Sequence, residues 1–215
     1  MIRLIFLLGL FVFLGCATSY TTIREHDTYA ENSSENEDIK ISFGFQGFGK
    51  NDRFRDNFVD NKIAFLRLTI ENKTEKSILI NEENINLKLK NQEIAILPLE
   101  ANAVAKRTSL SAAGYWFWGL LWFGYSKCEN NDCESSFYPV GLIIGAINFF
   151  RASSTNSKME EELYKNRFRG GKIMPGEKIT GYLFFDSSEK RYYDLMINYQ
   201  IEHESIKEIS LPYSF

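Results

Sequence analysis

From Ile39 onward the chain alternates apolar and polar positions with a period of two. Ile39, Ile41, Phe43 and Phe45 interleave with Lys40, Ser42, Gly44 and Gln46, and Ala64, Leu66, Leu68 and Ile70 with Phe65, Arg67 and Thr69. Ile85, Leu87 and Leu89 repeat the pattern, as do Tyr193, Leu195, Ile197, Tyr199 and Ile201. Successive side chains of a strand point to opposite faces, so this pattern predicts strands with one buried face. Turn residues fall between them at Asn72 to Thr74, Asn81 to Asn84, Pro175-Gly176 and Ser187-Ser188. Pro fixes φ at the first central position and Gly permits a positive φ at the second, which predicts a type II turn at 175–176. Short strands at this spacing predict an antiparallel, mainly β sandwich over 39–215.

The alternation stops between residues 101 and 171. Leu110 to Tyr125 carries no charge and holds all three Trp, and Phe137 to Phe150 carries none either. As helices these runs are about 24 and 21 Å long, short of the roughly 30 Å hydrocarbon core of a bilayer, so neither spans alone. They predict an apolar helical hairpin over 110–150, interrupting the sandwich, with SKCENNDCESS as its polar cap. Trp116, Trp118, Trp122 and Phe123 mark it as a membrane or partner contact, flanked by Lys106, Arg107 and Arg151. Gly141 and Gly145 form a GxxxG that lets helix backbones approach closely. Gly114, Gly119 and Gly124 repeat every five residues and fit no helix face. Two readings stand: the hairpin enters the membrane or meets a partner, or it folds back to complete a core. A β-hairpin within an oligomeric barrel is disfavoured, because lumen-facing positions should be polar. Beyond it, Ser157 and Glu160 in capping-box spacing begin a short amphipathic helix that ends at Gly170-Gly171. Met159 with Leu163, and Tyr164 with Phe168, supply its apolar pairs.

The amino terminus reads MIRLIFLLGLFVFLGC: Arg3, an apolar run from Leu4 to Leu14, then Gly15 and Cys16. A run of this length predicts a signal peptide over 1–15 rather than a permanent anchor. Gly15-Cys16 followed by Ala17, Thr18 and Ser19 resembles the lipobox of bacterial lipoproteins, although Phe13 and Leu14 depart from its usual residues. The resemblance implies that Cys16 becomes the acylated amino terminus, that two or more acyl chains hold it stably, and that the chain belongs to the bacterial cell envelope. The absence of Asp after Cys16 implies the outer membrane. Residues 16–38 are polar and lack apolar periodicity, which predicts a flexible tether with a typical span of roughly 25 Å. In an exported chain Cys128 and Cys133 are expected to pair as a disulfide, worth about 2 kcal/mol for so small a ring.

The runs IAFLRLTIENKTEKSILINEENINLKLKNQE and IMPGEKITGYLFFDSSEKRYYDLMINYQ resemble bacterial immunoglobulin-like domains of unknown function, related to the mycobacterial immunoprotective extracellular protein. The matching pieces are Asn72 at a strand end, then Pro175, Gly176 and Glu177, then a strand from Gly181 to Phe185. The resemblance covers residues 39–100 and 172–211. It implies an immunoglobulin-like fold and a largely non-enzymatic, adhesive or unassigned role.

Charge changes this picture little. There are 25 basic and 28 acidic side chains and no basic stripe, which argues against nucleic acid as a partner. The aromatic share of 15% and only four Pro suit a folded sheet protein. Nucleophilic catalysis lacks a base, since His26 falls in the tether and His203 in a strand-like segment between Glu202 and Glu204. Zinc would need two ligands beyond Cys128 and Cys133. Glu160 to Glu162 read as a solvated helix face, and GFQGFG at 44–49 as a glycine-rich turn without the strand and helix a phosphate loop requires. No cofactor or metal is expected. The sequence predicts a membrane-anchored, non-catalytic binding or adhesion module. The alternative is a structural envelope protein whose hairpin enters the membrane or makes a homo-oligomer.

Overall fold

Period-two alternation buries one side of a strand only when a second layer covers it, and in the computed structural model two antiparallel sheets do so. The structure describes residues 19–23, 28–89, 94–120, 122–129, 132–187 and 192–214. The chain divides into two compact units, whose described parts are 21–109 with 159–214, and 19–20 with 110–158. In the larger unit the first sheet has the order β1 (Thr28–Glu35), β2 (Ile39–Gln46), β3 (Ile63–Asn72), β10 (Lys178–Asp186). The second runs β6 (Ala95–Ile96), β5 (Ile85–Leu89), β11 (Tyr192–Ile201), β4 (Ile78–Ile80), β9 (Gly171–Ile173), with β12 (Ile206–Ser214) also paired to β11. It curls into a half-barrel. Ile41, Leu66, Leu68 and Leu183 from the first sheet share one core with Ile85, Leu87, Leu195 and Ile197 from the second. The expected antiparallel β body is thus present in coarse outline.

The other side of the first sheet is covered as well. Helix α1 (Asp52–Asp60) buries Phe54 and Phe58, four residues apart on one face. Phe58 stacks on Phe65 of β3 at 5.5 Å, and Phe65 meets the Tyr182 ring edge-on at 4.8 Å. Helix α2 (Ala101–Thr108) lies in the same unit, its Thr108 carbonyl accepting a 2.7 Å hydrogen bond from Asn57 of α1. GFQGFG does hold a turn, with Gly49 at φ +54°, but it has the flanking elements it was expected to lack: its first residues end β2 and α1 begins at Asp52. The helix start holds Asp52, and the Asn51 side chain is occupied by Thr21, so anions gain nothing there.

The motif around Asn72 closes on itself. Asn72 Nδ2 donates to the Lys76 and Ile173 carbonyls at 2.7 and 3.0 Å, and its Oδ1 accepts the Thr74 amide at 2.9 Å. Its backbone amide donates to the Glu177 carbonyl, and Gly176 N–H donates back to the Asn72 carbonyl. Gly176 has φ +72° and Glu177 N–H donates to Met174 O at 3.0 Å, the turn expected at 175–176. Gly181 is small because the backbone of Phe168 crosses it. A Cβ there would stand 2.5 Å from Phe168 Cα.

Two expectations about the ends of this unit are corrected. Thr28–Glu35, assigned to the tether, is a strand paired along β2 from Thr28–Gln46 to Glu35–Lys40. It escapes a hydropathy reading because an edge strand so polar has no apolar repeat. Glu162, assigned to solvent, is buried and accepts the Ile23 amide at 2.9 Å.

The smaller unit overturns the helical hairpin. After a 3-10 segment at Ala113–Leu120, β7 (Phe123–Glu129) pairs antiparallel with β8 (Asp132–Tyr138), and a single helix α3 (Val140–Asn166) follows. Gly119 and Gly124 penalise a helix through this stretch. The short helix from Ser157 is likewise the second part of α3. No Gly or Pro stands between Ala146 and Arg169 to stop it. Met159 and Leu163 are buried as paired, whereas Tyr164 is exposed beneath the Arg167 and Arg169 guanidinium groups and Phe168 is in the core. Among the described residues no helix is long and apolar enough to cross a membrane.

Candidate functional site

The β7–β8 hairpin is built rung by rung. Cys128 and Cys133 stand opposite each other in register and are joined as a disulfide. On the next rung of that face the Ser126 and Ser135 hydroxyls lie 2.9 Å apart. On the one after, the Phe137 ring lies over Gly124, 3.1 Å from where a Cβ would stand. The ring covers backbone that glycine leaves open. All six residues are exposed, so the bridge and the ring stiffen a hairpin that has little apolar support of its own.

Of the fifteen large apolar side chains exposed among the described residues, eight fall between 110 and 158. Scattered exposed apolar residues are ordinary, but this density in one unit is not. Leu120, Trp122, Phe137 and Tyr138 belong to the segment around the hairpin, and Leu142, Ile143, Ile147 and Phe150 to α3. Gly141 and Gly145 are buried, and Asn148, Ala152 and Thr155 continue the same face of the helix and are buried too. Small and polar residues are thus covered while large apolar ones face out. That is the reverse of a helix on a water-facing surface.

The residues singled out in the sequence are only partly brought together. Trp122 is 58% exposed at the head of β7. Trp116 and Trp118 fall in the 3-10 segment and Phe123 opens β7, their side chains lying outside what is described. Cys16 also lies outside the described residues, with the rest of 1–18. Gly141 and Gly145 share the covered face of α3 rather than a contact surface. The i, i+4 pair Phe54 and Phe58 was the available signal for α1. Nothing local announces the partnership of Ile23 with Glu162, which are 139 residues apart.

Polar chemistry in the larger unit is bound up in an interstrand clamp. Lys207 Nζ and the Tyr199 hydroxyl both donate to Asp38 Oδ2, at 2.8 and 3.0 Å, and Asn36 Nδ2 donates to the Tyr199 oxygen at 3.1 Å. The Lys207 bond holds the Asp38 carboxyl below its usual range against the opposing effect of burial, with Tyr199 adding to it. The same bond raises Lys207, and burial raises Tyr199. An ionised carboxylate, a charged ammonium and a protonated phenol are all moved away from proton exchange near neutrality. His203 stands in the β11–β12 turn at φ +65°, not in a strand. Its neighbours Glu202 and Glu204 are lowered first by hydrogen bonds from Ser77 and Lys76, so they are engaged as structural acceptors.

No family model matches the chain, and no curated protein matches it in sequence. Among solved structures it is similar to the YjhA protein of Bacillus subtilis, at 13% identity and TM-score 0.36, covering 78% of this chain and 79% of that one. It is similar to a functionally unknown protein of Listeria monocytogenes at 11% identity and TM-score 0.33, covering 93% and 88%. The GAE domain of yeast GGA1 aligns at 7% identity and TM-score 0.33, covering 85% and 95%. Likenesses of this size assign neither family nor function.

Proposed function

We propose that this chain is a lipid-anchored bacterial envelope protein that works by contact rather than by catalysis. In this reading Cys16 is acylated in the outer membrane after removal of 1–15, and an immunoglobulin-like body displays the disulfide-closed hairpin as its binding or adhesion element. The observation that carries the contact role is the density of exposed aromatic and aliphatic side chains between 110 and 158, divided between α3 and the segment around a hairpin braced by Cys128–Cys133. A stiff, apolar, exposed element is what association requires, because little ordering entropy remains to be lost on binding. Two antiparallel sheets around one core support the immunoglobulin-like part of the reading. The run Leu4 to Leu14 ending in Gly15-Cys16 supports the anchor.

Two measurements test it. Mass spectrometry of the amino-terminal peptide is expected to find acylated Cys16, and Cys16→Ser to move the protein out of the lipid-linked fraction. Chemical cross-linking in whole envelopes is expected to trap adducts through 110–158. An unmodified amino terminus, or cross-links confined to the larger unit, would refute it.

A second reading is a structural protein that self-associates through the hairpin. It is favoured by one observation: among the described residues β7 and β8 pair only with each other, leaving two unpaired strand edges.

A further inference from the structure

We infer that the exposed apolar surface of the 110–158 unit rests on the bilayer that holds Cys16, and that a clasp just after Cys16 keeps the body within reach of it. The inference depends on the anchoring proposed above. The clasp is a reciprocal pair and one buried acceptor. Thr21 N–H donates to Asn51 Oδ1 at 2.9 Å, Asn51 Nδ2 donates to the Thr21 carbonyl at 2.6 Å, and Ile23 N–H donates to Glu162 Oε1 at 2.9 Å. Ile23, Asn51 and Glu162 are all buried.

The clasp changes how far the body can stand from the lipid. A free tether through residue 38 could extend about 75 Å from Cys16, whereas the five residues from Cys16 to Thr21 span at most about 18 Å in any conformation. So short a leash holds the headgroup region at high effective concentration beside the larger unit, to which 110–158 is covalently joined at both ends. The surface chemistry then selects what meets it. Trp122 and Tyr138 are residues of the bilayer interface, and Ile143, Ile147 and Phe150 form an i, i+4, i+7 stripe along α3. No charge intervenes between Glu134 and the exposed Arg151, which stands beside Phe150 where an anionic headgroup would pair with it. A helix unable to cross the hydrocarbon core but apolar along one exposed stripe lies in the interface plane.

All three Trp fall between 110 and 150, so intrinsic Trp fluorescence reports this unit alone. The test uses full-length protein purified from envelopes and reconstituted into phosphatidylethanolamine–phosphatidylglycerol vesicles, with and without bromine in the acyl chains. The amino-terminal mass is measured on the same sample. Brominated chains are expected to quench the emission at least twofold. Ile143→Asn combined with Ile147→Asn, both on exposed positions, is expected to remove most of that quenching with circular dichroism unchanged. An acylated sample without quenching overturns the inference while the anchor stands, whether the unit then cross-links to a second copy or stays monomeric. Quenching without acylation supports bilayer contact and refutes the anchor. Neither signal refutes both.

Discussion

Asn72 shows how one side chain can hold three segments. Its amide joins the end of β3 to the 74–76 turn and to β9, with every bond made in a site that is 1% exposed. Asn72→Ala removes the side-chain donor to the Lys76 and Ile173 carbonyls and the acceptor of the Thr74 amide. The expected loss is about 3 kcal/mol, read as a lower urea midpoint at unchanged slope. Two glycines in the same neighbourhood separate two causes. Gly181→Ala drives a methyl into Phe168 backbone and is expected to cost about 2 to 3 kcal/mol by overpacking. Gly176→Ala meets open space and is expected to cost about 1 to 2 kcal/mol, from its positive φ alone. Calorimetry on the two variants distinguishes them by size. Asp38 sets a pH response. Its folded value is lowered from about 3.9, so its contribution is complete above that value and disappears as pH falls through the lower one. The urea midpoint of the wild type should therefore fall further than that of Asp38→Asn between pH 6 and pH 2.5.

At the scale of elements, what was legible in the sequence was what period and turn chemistry express locally. β2, β3, β5 and β11 carry alternating apolar residues toward the second layer, so alternation reveals them, whereas β10 is buried at every position from Gly181 to Phe185 and was expected from the resemblance instead. The hairpin was misread because Phe123 to Tyr125 and Phe137 to Tyr138 continue uncharged aromatic runs that also suit a helix, while the polar stretch from Ser126 to Ser136 between them reads as a loop. The length of α3 was misread because a capping box is only a start signal when the preceding chain stops, and Arg151 to Asn156 does not. The disulfide was legible from cysteine spacing and presumed export. Its reduction gives the prediction at this scale. Amides of 123–129 and 132–138 are expected to exchange faster by an order of magnitude or more, the kinetic equivalent of about 2 kcal/mol, while β3 and β11 keep their protection. Hydrogen exchange with and without a thiol reductant measures both.

For the whole molecule, the unread information is long-range pairing. No local signal ties Thr21 to Asn51 or Ile23 to Glu162, yet those contacts hold residues 21 and 23 of the expected tether against the folded body. The exposed apolar surface was half legible: the uncharged runs and their aromatic content drew attention to 110–150, but their conformation and outward-facing side required coordinates. One further feature governs assembly. β11 is the strand on which β4, β5 and β12 all converge. Without it the second sheet has only the β5–β6 and β4–β9 pairs. A growing polypeptide therefore cannot close its core until residues 192–201 have emerged, long after β4 and β5, and the apolar faces of those earlier strands stay uncovered in the interval.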